Sequence, residues 1–473
     1  MTGWMFVDVA AVRIQSYLGR TPDLKGRRGA SAWLSHASHR AELSSWVAAA
    51  TAGLPVTVEV NHEAGEADGL IPLRIPAGQG NGEVAEAVAG AVISALRQRL
   101  PGISLVATWA ADDSYLDAYR SMHKTGSGAG LTVFPPVPDM PALVSCQRCR
   151  IDPVVATIDI HEVEVVKVCA DCEARYTDRY RRPGLWREHV PVSAETDLLH
   201  ALHRSPGQVV QDFTGLADLG DPAGNRNHLA TVHIDGNGLG GLFDRIATTG
   251  TGEAKATVSA TVSAATREAL VEATRAVLGD TRQVPVIPHL VGGDDVLVSV
   301  VADRALRFVT CYLEAFADRM RGIGGLAGNP AGGQPVTASA GVVFAHATFP
   351  FRRAVELAGQ ALKTAKKDHQ GRHAAVAWLD VTRDGEQPPP HRTAWTIDTL
   401  AGLATALDTL ARVPASGRAT LERLVDPDRP ALSTARLREH ARRLDRDDVL
   451  DPFLDRGGPG TVADALSLVR WWR

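Results

Sequence analysis

Apolar residues between positions 229 and 380 recur with two different periods. Short β-branched runs predict strands, and longer stretches with apolar residues three and four positions apart predict amphipathic helices. The predicted strands are 229–235, 284–290, 296–301, 335–344 and 373–380. The predicted helices are an alanine-rich stretch to about 277, then 302–320 and 349–367. We expect strand 335–344 to extend one side of the sheet and strand 373–380 to be the last strand of the unit. Without the extending strand, the order of elements is β-α-β-β-α-β, the ferredoxin-like arrangement.

The amino-terminal part of the chain has the same pattern. Its predicted strands are 3–9, 54–61, 69–75 and 103–110. Its predicted helices are 11–18, 29–50 and 83–99. Together these elements again give the order β-α-β-β-α-β, about 230 residues before the other unit. We therefore predict an α+β fold with an internal repeat of structure rather than of sequence.

Composition narrows the class of protein. With 473 residues, the chain is long enough for two to four domains. Its 50 Lys+Arg and 54 Asp+Glu residues give a net charge of −4, so it lacks the basic field typical of a stand-alone nucleic-acid binder. We find neither an apolar stretch of 18 residues nor an apolar leader, so we expect no membrane association and a cytoplasmic location.

Three aspartates are predicted to converge at one edge of the second sheet. The stretch "HLVGGDDVLVSV" (289–300) reads as two strands joined by a tip that holds Asp294 and Asp295. Asp235 ends the first strand of the unit, which lies beside the hairpin in a ferredoxin-like sheet. A purely conformational turn would account for the glycines and aspartates of the hairpin, but not for a third aspartate beside it. Three neighbouring carboxylates repel one another unless cations lie between them, so we predict Mg²⁺ or Mn²⁺ and two-metal phosphoryl transfer.

Glycines follow the first of these aspartates. In "GNGLGG", Gly236 and Gly238 have no side chain to keep phosphates away from the backbone amides at the start of the next helix. This pattern is typical of a nucleotide-binding turn.

Four of the five cysteines form two pairs with the spacing of a metal site. Cys146 and Cys149 are followed, after 19 residues, by Cys169 and Cys172. Four thiolates at this spacing satisfy one tetrahedral Zn²⁺, and the hairpin predicted between them fits a zinc ribbon. Four sulfur ligands leave no open position, so we expect the ion to be structural. We assign Cys311, on the apolar face of a helix, to the core.

Several of these motifs resemble a known family. "HIDGNGLGGLFD", "LVGGDDVLVSV", "TASAGVVFAH" and "ALKTAKK" occur in the order found in the palm domain shared by GGDEF nucleotide cyclases and the large subunit of type III CRISPR effector complexes. The GGDD form is similar to the CRISPR branch, in a Cmr-like version. "WMFVDVAAVRIQSYLGRTPDLKGRRGASAWLS" (4–35) resembles the start of the first palm of that subunit.

The resemblance implies an enzyme that converts ATP into cyclic oligoadenylates when target RNA is bound. The implied partners are other effector subunits, guide RNA and target RNA. Asp235, Asp294 and Asp295 would be the catalytic, metal-holding residues. The implied nucleotide-binding residues are Gly292 and Gly293, which give access to the hairpin, Gly236 and Gly238, and Lys366 at the triphosphate, with Lys363 or Lys367 able to share its role.

The domain organisation follows from these elements. The four predicted segments are a first palm (1–140), a zinc ribbon with linker (141–228), a second palm (229–382) and a helical carboxy-terminal domain (383–473), which opens with a proline-rich linker at 383–392. The first palm has "NHEAGEADG" (61–69) in place of GGDD, so we interpret it as degenerate, forming the other wall of the nucleotide site. Because the first palm begins near Met1 and the chain has no His-Asp dipeptide, we expect no HD-type nuclease domain.

Three further interpretations remain open at this stage. The basic cluster Lys25, Arg27 and Arg28 contacts RNA or a neighbouring subunit, or it is a solvated loop. The enzyme could instead be a free-standing GGDEF-like cyclase, although one chain already holds both halves of the site. A catalytically inactive structural subunit is the third possibility, and the three retained aspartates argue against it.

Overall fold

A computed structural model gives the fold of the chain. The residues it describes are 3–38, 40–65, 69–123, 129–135, 143–160, 164–176, 193–220, 227–321, 323, 336–390, 392–426, 428–443 and 447–472. Across these ranges, none of the helices has the length and apolar character needed to cross a membrane. The glycine-rich stretch "GIGGLAGNPAGGQ" (322–334) lies outside the described residues, apart from position 323.

Within these ranges the chain forms thirteen strands and seventeen α-helices. The strands are β1 (Trp4–Val12), β2 (Glu59–Val60), β3 (Leu70–Pro76), β4 (Ser104–Asp112), β5 (Ala129–Val133), β6 (Ala156–Ile160), β7 (Glu164–Val168), β8 (His228–Asn237), β9 (Val286–Gly292), β10 (Asp295–Val301), β11 (Thr337–His346), β12 (Ala375–Asp380) and β13 (Trp395–Thr396). The helices are α1 (Ile14–Leu18), α2 (Leu24–Ser38), α3 (Arg40–Thr51), α4 (Gly82–Arg99), α5 (Tyr115–His123), α6 (Ala170–Arg175), α7 (Ala194–Ala201), α8 (Phe213–Ala217), α9 (Leu239–Thr249), α10 (Gly252–Leu278), α11 (Ala305–Arg319), α12 (Phe351–Asp368), α13 (Val381–Asp384), α14 (Ile397–Ala411), α15 (Ala415–Leu424), α16 (Pro430–Arg443) and α17 (Asp447–Leu468).

The first sheet has the predicted ferredoxin-like topology with one added strand. Its order is β2-β3-β1-β4-β5, and β1 pairs antiparallel with both β3 and β4. Two boundaries differ from the prediction. The helix expected at 29–50 is two helices, α2 and α3, and the strand expected at 54–61 is reduced to the two residues of β2.

The second sheet corrects our choice of its closing strand. Its order is β13-β12-β11-β8-β10-β9, so the ferredoxin-like core is β11-β8-β10-β9. β11 pairs with β8 along its whole length, whereas β12 pairs parallel to β11 on the outside. The prediction that 373–380 closes the unit is therefore wrong. Periodicity identified both strands, but it contains no information on which of them pairs with β8.

The two palms share one hydrophobic core. Leu290 and Leu297 of the second palm belong to the same buried cluster as Val9, Leu18 and Leu73 of the first. A hydrogen bond also joins the two palms. The buried Lys255 ammonium, on α10 of the second palm, donates to the Ala64 carbonyl of the first palm at 3.1 Å. The palms are thus packed against each other as one body.

The carboxy-terminal helices are anchored to the second palm. Trp471 stacks on Phe344 of β11, with ring centroids 4.8 Å apart, and its indole donates to Asp380 of β12 at 3.0 Å. The predicted linker at 383–392 is also held in place, since the nearly buried Arg392 forms ion pairs with Asp384 and Asp464. The proline run interrupts regular structure, but the charged side chains around it fix its course.

The basic cluster of the first palm is not a solvated loop. Arg27 and Arg28 lie on α2 and are buried. Arg28 makes two hydrogen bonds to Glu195, at 2.6 and 2.7 Å. The Arg27 guanidinium lies 3.4 Å from the ring centroid of Phe351, and burial lowers the pKa of this arginine well below its usual value. Both arginines join parts of the fold, so the interpretations as an RNA contact or a solvated loop are wrong for them.

Candidate active site and cysteine cluster

The hairpin between β9 and β10 brings two acids beside a third. β10 pairs with β8 so that Val296 lies opposite Ile234. One residue further along, the register places Asp235 next to the hairpin tip. Gly293 makes the turn with a left-handed φ of 57°, which suits glycine. The predicted convergence of the acids is therefore present.

Asp294 lies in surroundings that oppose its ionisation. Burial, followed by the neighbouring Asp235 carboxylate to which Asp294 is hydrogen-bonded, raises its pKa to about 7. Two like charges in a partly desolvated site oppose ionisation, and a cation between them would remove that opposition. Oxygen ligands of this type fit Mg²⁺ or Mn²⁺.

Asp295 is held by residues from both palms. His233 Nε2 lies 2.8 Å from one carboxylate oxygen of Asp295, and the Gln15 amide nitrogen lies 2.7 Å from the other. Gln15 belongs to α1 of the first palm. Neither partner was singled out from the sequence, although His233 opens the motif "HIDGNGLGGLFD" and Gln15 lies in the quoted stretch 4–35, because sequence does not show which side chains meet Asp295.

One of the candidate lysines reaches the site. The Lys366 ammonium forms an ion pair with Asp235 and donates to the Gly236 carbonyl at 2.7 Å. Lys363 and Lys367 are exposed on the same helix. The geometry therefore favours Lys366.

The turn after β8 is shaped by its glycines and by Asn237. Gly238 precedes α9 with a left-handed φ of 74°. The buried Asn237 amide donates to Thr337 and Ser339 of β11, at 3.0 and 2.9 Å, and to the His373 carbonyl. Asn237 is a third residue missed from the sequence, although its place between two glycines could have marked it as a fixed point of the turn.

Gly236 has no space for a side chain. A Cβ atom there would lie 2.4 Å from Leu239 Cδ1 and 2.7 Å from Asp294 Oδ2. Because both atoms end side chains, we expect Gly236→Ala to fold and to displace the Asp294 carboxylate, weakening Mn²⁺ binding in calorimetric titration. Gly240→Ala is the matched control, since Gly240 has open space around it. Equal Mn²⁺ affinity in the two variants would contradict this account of Gly236.

The four paired cysteines meet in one place. Their sulfur atoms all lie within 4.8 Å of one another, and all four residues are buried. Hydrogen bonds with the other three thiols, that of Cys149 first, hold the pKa of Cys146 well below its usual value. β6 and β7 form the predicted hairpin between the pairs, and Cys169 caps α6. The arrangement fits one tetrahedral metal ion with four sulfur ligands. Cys311 is half-buried and packs against the main core, as predicted.

The cysteine hairpin is docked on the first palm through buried charges. Asp171 of α6 accepts a hydrogen bond from the Tyr17 hydroxyl at 2.9 Å and another from Arg175 at 2.7 Å. Arg175 also donates to the Tyr17 carbonyl at 2.8 Å. These hydrogen bonds hold helix α1 of the first palm against α6 of the cysteine hairpin.

Comparisons with known proteins agree with this architecture. Residues 228–376 match the family model described as Cas10/Cmr2, second palm domain, so the resemblance inferred from the GGDD hairpin is confirmed there. No curated protein sequence gives a significant match.

Solved structures extend the likeness to the whole fold. The crystal structure of Csm1 from T. onnurineus has a TM-score of 0.58 and 13% identity, over 100% of this chain and 70% of Csm1. A Csm1–Csm4 cassette in complex with cA4 has a TM-score of 0.58 and 14% identity, over 99% of this chain and 69% of its relative. The cassette with pppApA has a TM-score of 0.56 and 15% identity, over the same shares. At such identities these structures establish the fold alone, and the Cmr-like assignment stays a prediction.

Proposed function

We propose that this chain, with a second palm of the Cas10/Cmr2 family and the fold of Csm1, is the large subunit of a type III CRISPR effector. Its proposed reaction is the conversion of ATP into cyclic oligoadenylates by two-metal phosphoryl transfer in the second palm. The observation that carries the proposal is the meeting of Asp235, Asp294 and Asp295 beside Lys366 at one sheet edge.

The three aspartates would hold Mg²⁺ or Mn²⁺. The raised pKa of Asp294 supports this role, because burial and the neighbouring Asp235 carboxylate both oppose its ionisation, and a cation between the two acids would favour it. When bound, such ions neutralise developing charge on the phosphates and activate the attacking hydroxyl. His233 and Gln15 orient Asp295 for its part in holding them.

Other groups of the site would bind the triphosphate. The Lys366 ammonium lies beside Asp235 and the Gly236 carbonyl, where it would offset phosphate charge. Gly238, with open space around it, leaves the backbone before α9 accessible to a phosphate, and Gly236 lets the same turn approach Asp294 closely. Gly292 and Gly293 would give the nucleotide access to the hairpin. Phosphoryl transfer depends mostly on positioning and charge, which this set of groups supplies.

We retain the four predicted segments as a proposal for the domains. The first palm, 1–140, would be the catalytically degenerate half that completes the site through α1. Residues 141–228 would carry a structural Zn²⁺ on the four cysteines, 229–382 would be the catalytic palm, and 383–473 would be the helical domain.

The proposed partners are other effector subunits, guide RNA and target RNA. Related Csm1 proteins were crystallised with Csm4 and with ATP or cA4, which supports a subunit partner and a nucleotide substrate. The net charge of −4 favours RNA held jointly with partners over binding by the whole surface of this chain.

We expect the isolated chain to make cyclic oligoadenylate slowly and the assembled complex to accelerate when target RNA pairs with the guide. Misplacement of a reacting group by about 1 Å costs on the order of 100-fold in rate, so ordering the palms around ATP is a sufficient cause. The measurement is product formation from ATP with Mn²⁺, by the lone chain and by the complex, each with and without target, and with a control lacking divalent metal. A lone chain as fast as the stimulated complex would favour a free-standing cyclase. A complex without product under every condition would favour an inactive structural subunit.

A further inference from the structure

Gln15 is the one side chain of the first palm with a hydrogen bond to an acid of the GGDD hairpin among the described residues. Its amide nitrogen lies 2.7 Å from Asp295 Oδ2 and 3.0 Å from His233 Nε2. Asp295 accepts on its other oxygen from His233, at 2.8 Å. One carboxylate is therefore held by a donor from each palm.

The donor and acceptor roles of the groups decide which of the two Gln15 contacts is a hydrogen bond. An ionised carboxylate has no proton to give, so His233 Nε2 must carry the hydrogen that points at Asp295. A nitrogen that donates in this way cannot also accept from Gln15. The Gln15 amide is therefore committed to Asp295, and its 3.0 Å approach to His233 is a packing contact.

Helix α1 is built to keep Gln15 in place. It has five residues, of which Tyr17 and Leu18 are buried. The Gln15 carbonyl accepts from the Gly19 amide at 2.9 Å, and Tyr17 is bound at both its hydroxyl and its carbonyl by α6. These contacts hold the backbone of Gln15 in place, so its side-chain amide is positioned to contact Asp295.

We infer that Gln15 is a positioning residue for Asp295, which makes the metal affinity of the second palm depend on the docking of the first. The inference rests on the proposed function, in which Asp295 holds a divalent ion. Two donors occupy one lone pair on each carboxylate oxygen and fix the plane of the carboxylate. The remaining lone pairs then face the metal without an entropic cost of ordering. Partners of this kind behind a metal ligand typically contribute 10- to 100-fold in metal affinity.

The test uses two variants of the full chain, Gln15→Met and Gln15→Ala. Methionine keeps the length and packing of the side chain but cannot donate, and alanine removes both. We expect Mn²⁺ affinity, measured by calorimetry without nucleotide, to fall about tenfold in both variants. In turnover assays the Mn²⁺ concentration for half-maximal rate should rise, with less change in the rate at saturating Mn²⁺.

Ser16→Ala is the matched control, since Ser16 is exposed on the same helix and outside the site. Its Mn²⁺ affinity and melting temperature should equal those of the parent chain. Asp295→Asn separates the two hypotheses. If Asp295→Asn loses Mn²⁺ binding while Gln15→Met retains parental affinity, the positioning role is wrong and the proposed function stands. If Asp295→Asn binds Mn²⁺ as tightly as the parent, both are wrong.

Discussion

Replacing Asp294 and Asp295 together with alanine should abolish the formation of cyclic oligoadenylate while the chain remains folded. The reason is that the variant loses two of the three carboxylates that we propose to hold the metal ions. Metal ions contribute several kcal/mol to transition-state stabilisation, and each 1.4 kcal/mol is tenfold in rate, so we expect a loss of about 1,000-fold or more. The measurement is product formation by the reconstituted complex with target RNA, with circular dichroism as the test of folding. Retained turnover in a folded double variant would remove these aspartates from the mechanism.

The stability of the same site should depend on pH in a defined direction. The folded-state pKa of Asp294 is about 7, above the value of 3.8 for an ordinary aspartate. The native state therefore holds this proton more tightly than the unfolded state, and stability falls as pH rises from about 4 to about 7. Asp294→Asn removes this dependence, so in metal-free buffer it should stabilise the chain more at pH 8 than at pH 5. Thermal melts at the two pH values measure the difference, and a difference of the opposite sign would contradict the burial of this acid.

Replacing Cys169 with serine should lower bound zinc and thermal stability together. Cys169 supplies one of four sulfur atoms that lie within 4.8 Å of one another, and it also caps α6. Because the binding free energy of a structural zinc is folding free energy, the loss should amount to several kcal/mol of stability. Metal content by atomic emission and the melting temperature of the same samples give the two readouts.

Cys311→Ser is the control for this experiment. Cys311 is a half-buried cysteine outside the cluster, so its replacement should leave metal content unchanged and affect stability only slightly. Chelation of the parent chain should reproduce the effect of Cys169→Ser. Full stability after complete removal of zinc would show that the thiols pack without needing an ion.

Much of this architecture can be predicted from local pattern. The strands around the GGDD hairpin have clear β-branched runs, and the ferredoxin-like order then places Asp235 beside the hairpin. The strand prediction depends on short-range sequence patterns, and the placement of Asp235 depends on the strand order of the ferredoxin-like fold. The cysteine cluster follows from spacing alone, because the two pairs lie at the ends of a single hairpin.

Local pattern gives no information on contacts between distant parts of the chain. Gln15 lies 280 positions from Asp295, and nothing in its neighbourhood distinguishes it from any polar residue at the start of a helix. Arg27 has the flanking glycines and charges of an exposed loop, yet aromatic rings from Phe213 and Phe351 cover its guanidinium. Similarly, the proline run before Arg392 is typical of a linker. Its ion pair with Asp464 became visible only in three dimensions.

The hydrophobic core common to both palms limits the motions by which the proposed activity of this chain could be regulated. Pulling the palms apart would expose Leu18, Leu290 and Leu297, at a cost of about 1.5–3 kcal/mol for each side chain. If the palms instead slide along their contact surface, those side chains stay buried. A shift of about 1 Å is enough to break a hydrogen bond such as the one from Gln15 to Asp295. A partner that binds far from the hairpin could therefore act by shear, forming or breaking the hydrogen bond to Asp295 while the interior stays closed.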